Sequence, residues 1–331
     1  MKKIINKPET VVDEMCEGIV SAFPGLLQLD AENRIISRKD IDAAKVNLIS
    51  GGGSGHEPSH AGFVGTGMLD AAVCGDVFAA PSVIQILEAI KLVRSNKGVL
   101  LVVKNYSGDV MNFDGAAEMA EEDEDIRVEK VYVNDDVAVT NSLYTVGRRG
   151  VAGTVFVHKI AGALAEEGAD LAAVKAMAED VIANVRSMGV ALTSCTVPAK
   201  GEPTFDITEG DMEFGVGIHG EPGVSREETV NAEILAKRIT DRIIADIPFK
   251  AGDEVALLVN GLGGTPAMEL FILNKEVQKI LDKAGIGVYR TFVGNYMTSL
   301  DMAGASITLL RLSGEMKRLL DAPARTAALT I

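Results

Sequence analysis

Residues 51–63 read GGGSGHEPSHAGF, and within them His56, Glu57 and His60 satisfy the H-E-x-x-H spacing that binds zinc when it lies in a regular helix. That chemistry needs both imidazoles on one helical face, with the glutamate acting as base on a metal-bound water. Pro58 lies between the two histidines, and a proline in a helix interior removes a hydrogen bond and clashes with the preceding turn, at a cost of roughly 3 kcal/mol. No third ligand follows at the expected spacing, so no metal is assigned here. Pro58 is expected to open a helix at its first position, leaving His56 in the loop before it and His60 supporting that loop from the helix.

The glycines before His56 suggest a different use. KVNLIS (45–50) reads as a strand and GGGSGH as the loop after it, where the backbone, Gly53 included, can approach a small ligand at the C-terminal edge of a sheet. A purely structural glycine turn fits the same letters. Neither G-x-G-x-x-G nor G-x-x-x-x-G-K-[ST] fits, which sets aside a nucleotide loop. In LLVVKNYSGDVMNF, Lys104 and Asp109 bracket a turn directly after a strand, so a cation and a carboxylate can share one cleft, although an Asp opening a helix is commonly its cap. EFGVGIHGEPG (213–223) surrounds His219 with small residues that allow close approach, and His219 is either a surface residue or a group meeting the cleft from the second half of the chain. NGLGGTP (260–266) fits an anion site at a helix N-terminus or simple domain packing. His158, mid-helix beside Lys159, reads as structural or solvated.

These residues need a scaffold. A helix follows Pro8, with Val12, Met15, Cys16, Ile19 and Phe23 at helical spacing. Strands at 45–50, 70–75, 98–105 and 126–134 then alternate with helical patterns, one of them from Pro81 through Ile90. Such alternation predicts a mostly parallel or mixed sheet covered by helices. Helices over 151–167 and 170–188 follow, and CTVPAKGEPTFDITEG (195–210) breaks the periodicity with two prolines and two glycines. The second half repeats the scheme with helices over 226–246 and 266–284 and strands over 254–261, 287–293 and 305–311. The expected fold is two α/β domains: 1–190, with the glycine-rich substrate loop, and 191–331, with His219.

Composition narrows the function. With 331 residues and 47% hydrophobic letters the chain has a large core to build. Its 32 Lys and Arg stand against 47 Asp and Glu, a formal charge of −15, which argues against nucleic acid or an anionic membrane as partner and for a small substrate, neutral or accompanied by a cation. Cys16, Cys74 and Cys195 are widely spaced with no C-x-x-C pair, which suits a reducing cytoplasm. Lys7, Pro8 and Glu9 interrupt any signal-like apolar segment, and no apolar run approaches the roughly 20 residues a membrane span needs. A soluble cytoplasmic protein is expected.

Taken in order, GGGSGHEPSHAGFVGTGML, KNYSGDVMNF, DDVAVTNSLYTVGRRGVAGT (135–154), FGVGIHGEPG and NGLGGTP closely resemble the dihydroxyacetone kinase family, specifically its K, substrate-binding, subunit. The resemblance runs across nearly the whole chain. It implies two α/β domains, a homodimer, and a ketose held covalently, as a hemiaminal, by the histidine of G-I-H-G, here His219. By the same resemblance Asp109 is the base that takes the proton from the phosphorylated hydroxyl, His56 is its active-site neighbour, and Lys104 and the Gly53 backbone contact the substrate. ATP-dependent members carry a further nucleotide-binding domain after this region, whereas this sequence stops at Ile331. The phosphotransferase-system form is therefore implied: no cofactor on this chain, a separate L subunit bearing ADP and magnesium as donor, and a phosphocarrier M subunit that recharges it. Ala80, in DVFAAPS, stands where relatives carry Ser, which removes one hydrogen bond to substrate. Two alternatives keep every motif: a regulatory paralogue that senses dihydroxyacetone through His219, and a kinase subunit for a related ketose such as erythrulose.

Overall fold

The computed structural model describes residues 2–140, 145–247 and 249–331. Residues 141–144 of the 135–154 segment lie outside the described residues. The first half contributes β1 (Leu27–Asp30), β2 (Ile35–Arg38), β3 (Asn47–Ser54), β4 (Gly65–Thr66), β5 (Ala71–Val77), β6 (Val99–Lys104) and β7 (Val128–Val133), with helices α1 (Val11–Ala22), α2 (Val83–Leu92) and α3 (Ser107–Glu124). Six of these strands form one sheet in the order β1-β2-β5-β3-β6-β7. Strands β5, β3, β6 and β7 run parallel, and the β1–β2 hairpin extends the sheet antiparallel beside β5.

Helices α4 (Thr154–Glu166) and α5 (Leu171–Asn184) lead into β8 (Val185–Ala191), β9 (Asp211–Phe214), β10 (Ser225–Glu228), α6 (Ala232–Asp246), β11 (Glu254–Gly261), α7 (Ala267–Lys283), β12 (Gly287–Gly294), β13 (Gly304–Arg311), α8 (Gly314–Asp321) and β14 (Arg325–Thr326). The second sheet has the order β10-β9-β8-β13-β11-β12 and is antiparallel except for the β11–β12 pair. Strand β14 returns to pair with β4. The position after residue 190, where the sequence suggested a parting, falls inside β8, a central strand of this second sheet.

Both sheets are covered on both faces, which is why their strands read as continuous apolar runs. In β6, Val99, Leu101 and Val103 pack with the α2 and α3 side chains, while Leu100 and Val102 join a cluster with α4 and α5. In β11, Ala256 and Leu258 belong to that same cluster, and Val255, Leu257 and Val259 face α6 and α7. The α4–α5 layer is thus shared between the sheets, and α4 is buried on nearly every side. Among the described residues no helix is long and apolar enough to cross a membrane.

Four local expectations change. The helix expected over 170–188 ends at Asn184, and its last residues belong to β8. The glycine run is strand: Gly51, Gly52 and Gly53 pair with Val73, Cys74 and Gly75 of β5, and a Cβ on Gly51 would come within 2.5 Å of the Val73 carbonyl oxygen. Pro58 opens no helix; residues 57–60 form a turn, with Gly62 N–H donating to the Pro58 carbonyl at 2.8 Å, and only one 3₁₀ turn, Ala61–Phe63, fits before β4. The helix expected from 226 begins at Ala232, because Asn231 caps it by accepting from Ile234 N–H at 3.0 Å and the residues before it pair as β10.

Candidate active site

Strands β3, β5 and β6 end side by side, and the C-terminal ends of parallel strands are where open α/β sheets bind ligands. A cavity of about 470 Å³ opens there, reached by Gly53 from β3, Phe78 and Ala80 from the turn after β5, and Asp109 from the first turn of α3. Its other wall comes from the second half: Val197, Lys200 and Thr204 from the β8–β9 connection, and His219 from the turn after β9.

Asp109 does not serve as a cap. Tyr106 occupies the cap position of α3 with no side-chain bond, and the Asp109 carboxylate, buried, lies 3.5 Å from the buried Lys104 ammonium. Lys104 also donates to the Gly51 carbonyl at 3.2 Å. Gly52 adopts φ +144°, and a side chain there would strike Lys104 Nζ and come within 3.3 Å of Asp109. At Gly53 a Cβ would meet the Ala79 nitrogen at 2.6 Å, so both glycines are required for the strand to run this close to the pair and to the following turn.

His56 is fully buried, with Nδ1 2.8 Å from the Thr298 carbonyl oxygen. A carbonyl only accepts, so Nδ1 carries the proton and Nε2 presents a lone pair; Nε2 has no hydrogen-bond partner among the described residues. Burial, then the positive potential of His219 and Lys104, pushes His56 well below the usual histidine range, which keeps it neutral. Its ring stacks on Phe78 at 5.3 Å and meets His219 edge-on at 4.8 Å.

Three rings hold His219: His56, Phe78 at 5.5 Å, and Tyr106 at 4.3 Å and 90°. Glu221 takes both polar handles of the histidine, accepting from its backbone N–H at 2.8 Å and lying 3.3 Å from Nδ1. Burial alone would raise the Glu221 carboxyl, but His219 and then Arg149 outweigh it and bring it down to about 2. Arg149, itself buried, donates to Asp136 and to the Gly215 carbonyl, each at 2.8 Å.

The structure therefore brings His219, His56, Asp109, Lys104 and Gly53 to one place. His60 does not line the cavity: its Nδ1 lies 3.0 Å from His158 Nε2 and 3.3 Å from Ser50 Oγ. In the 260–266 turn, Cβ atoms on Gly263 and Gly264 would collide with the carbonyls of Leu300 and Asp301, so that turn serves packing against the 298–303 segment. Sequence reading passed over Glu221, Tyr106, Phe78 and Arg149; the signal it had was Glu221 two residues after the histidine in a glycine-rich turn. Chemically the cavity offers an imidazole held by three rings, a carboxylate able to take a proton, and a cation beside it.

The Dak1 domain model matches residues 17–328. A Listeria innocua protein named PTS-dependent dihydroxyacetone kinase 1, dihydroxyacetone-binding subunit DhaK, is 53% identical over 315 residues, covering 95% of each chain. Among solved structures, the dihydroxyacetone kinase operon co-activator DhaQ superposes with a TM-score of 0.91 at 38% identity, covering 96% of this chain and 97% of that one. The dihydroxyacetone kinase of C. freundii superposes with a TM-score of 0.88 at 38% identity, covering 98% of this chain and 60% of that one. With its β3 glycines, its Lys104–Asp109 pair and its ring-clamped His219 inside the matched span, the chain belongs to the Dak1 domain family.

Proposed function

We propose that the chain is the dihydroxyacetone-binding subunit of a phosphotransferase-system-dependent dihydroxyacetone kinase. The observation that carries the reading is the placement of His219 and the Asp109–Lys104 pair around one cavity, on opposite walls built by the two halves of the chain. The names of close relatives support it.

In this reading the His219 imidazole adds to the ketone carbon and leaves a tetrahedral hemiaminal. The attacking nitrogen has no second proton to lose, so the adduct does not dehydrate to a neutral imine and the bond stays reversible. Glycerol, close to the ketose in size and polarity, has no carbonyl and is rejected by chemistry that contacts alone supply poorly. Fixing the ketose aligns its terminal hydroxyl, whose proton passes to Asp109 as the oxygen attacks the donor phosphorus; general-base help of this kind is worth about 10²–10⁴ in rate. His56, neutral, accepts a hydrogen bond in the same site, and Lys104 and the Gly53 backbone contact the substrate. The donor is a separate L subunit carrying ADP and magnesium, recharged by an M subunit, and the K chain works as a homodimer in the cytoplasm.

Similarity to a named operon co-activator favours a second reading, a sensor of dihydroxyacetone that transfers nothing. Sensing needs only the cavity and His219, whereas Asp109 beside Lys104 is what transfer adds. An assay of the purified chain with L, M and the upstream phosphocarriers separates these, offering dihydroxyacetone, erythrulose and glycerol in turn. The kinase reading expects turnover of dihydroxyacetone that requires L, and none with ATP and magnesium alone. Ketose binding without turnover in the complete system assigns the sensor role, and preferential turnover of erythrulose reassigns the substrate.

A further inference from the structure

We propose that Glu221 is a positioning residue that fixes His219 as the Nδ1–H tautomer and so makes Nε2 its nucleophile. The inference rests on the covalent reading above and deepens it. A carboxylate can only accept hydrogen bonds, and Glu221 accepts from the His219 backbone N–H at 2.8 Å through one oxygen while the other lies 3.3 Å from Nδ1. In the neutral ring the arrangement that satisfies both contacts puts the proton on Nδ1, leaving the Nε2 lone pair for the carbonyl. Burial argues that this carboxylate is placed for a purpose: Glu221 is 6% exposed, and an unpaired charge at that depth is costly.

The support behind Glu221 is built as deliberately. Arg149 is 1% exposed, and its guanidinium is oriented by Asp136 and the Gly215 carbonyl. A side chain at Gly217 would strike both Glu221 Oε2 and Arg149 Nη1, so glycine there keeps the carboxylate and the guanidinium in place. On the open side, Tyr106 edge-on at 4.3 Å keeps the imidazole from turning over.

In the addition step the Nε2 lone pair forms the C–N bond and the carbonyl π pair moves onto oxygen, which takes one proton from solvent. The ring then carries a positive charge, with its Nδ1–H still donated to Glu221, and that charge is the one a neighbouring carboxylate stabilises. The arrangement parallels the carboxylate that sets the imidazole tautomer in serine hydrolases, where the wrong tautomer is catalytically poor.

Two measurements test it. Long-range ¹H–¹⁵N spectra of the ligand-free protein should show His219 with Nδ1 protonated and Nε2 bare; the opposite tautomer overturns the inference and needs no variant to do so. Dihydroxyacetone labelled with ¹³C at its carbonyl should show that carbon moving from the ketone to the tetrahedral region in the parent protein, and Glu221→Gln, whose amide can donate to Nδ1, should lower the adduct fraction at fixed ketose at least about tenfold. The same variant should shift His219 toward the Nε2–H form while its far-UV spectrum stays that of the parent. An adduct that forms equally in both proteins overturns the role of Glu221 alone, and a parent that forms no adduct removes the covalent reading together with it.

Discussion

Asp109 occupies the first turn of α3, where its charge suits the helix N-terminus, yet it spends its carboxylate on the cavity and on Lys104. In the proposed reaction a base placed this way acts on the hydroxyl that receives the phosphoryl group and contributes little to holding the carbonyl end of the ketose. Asp109→Asn is therefore expected to form the ¹³C-detected adduct at near-parent occupancy while phosphoryl transfer in the complete system falls at least about a hundredfold; near-parent turnover would remove Asp109 from that role. At this scale the sequence was informative where a residue's neighbours in the chain are also its chemistry: Lys104 and Asp109 bracket one turn, and His219 stands among glycines. It was silent on Glu221 and Arg149, because a carboxylate beside glycine and proline reads as turn solvent contact, and the arginine that reveals its purpose arrives from a distant loop.

Strand β3 and helix α4 meet over a pair of histidines that never reach the cavity. His60 and His158 are both buried and bonded to each other, and burial pushes His60 well below the usual range and His158 down to about 3. The sign follows from proton counting: the unfolded chain binds protons on these rings once pH drops below about 6.5, and the folded chain does not. Their contribution to stability is present above that value and is lost progressively as pH falls from about 6.5 towards about 3. Replacing His158 by Gln should flatten the fall in unfolding free energy between pH 6 and pH 4.5 by up to about 1.4 kcal/mol per pH unit relative to the parent, measured by urea unfolding at each pH. Parallel slopes in parent and variant would contradict burial as a neutral pair. Apolar periodicity located β3 and α4 closely, but it assigned the glycines to a loop and Pro58 to a helix start. Glycine propensity describes an average environment; here pairing with β5 on one side and Lys104 packed against the strand on the other decide the conformation.

At the scale of the molecule, the α4–α5 layer packs against both sheets, and one apolar cluster runs from β6 through these helices to β11. Opening either half strips apolar cover from the other, so calorimetry of the isolated chain should give one transition whose calorimetric and van't Hoff enthalpies agree for the folded unit. Two resolved transitions would mean that the halves are independent. The α/β class and the alternation of elements were legible in the sequence because buried parallel strands leave long apolar runs. The layering was not, since α4 shows apolar residues on all sides and periodicity cannot say which sheet each side meets. The proline-rich stretch 195–210, which reads as a boundary between domains, is the β8–β9 connection, and it supplies Val197, Lys200 and Thr204 to the cavity wall. The site is thus a product of the join between the two halves. The central claim, that this join holds a ketose through His219, is tested most directly by a crystal of the chain grown with dihydroxyacetone and no partner. Continuous density is expected from His219 Nε2 to a tetrahedral carbon, with the terminal hydroxyl facing Asp109. Density joining the sugar to Lys104, or a planar ketone lying free in the cavity at full occupancy, would contradict it.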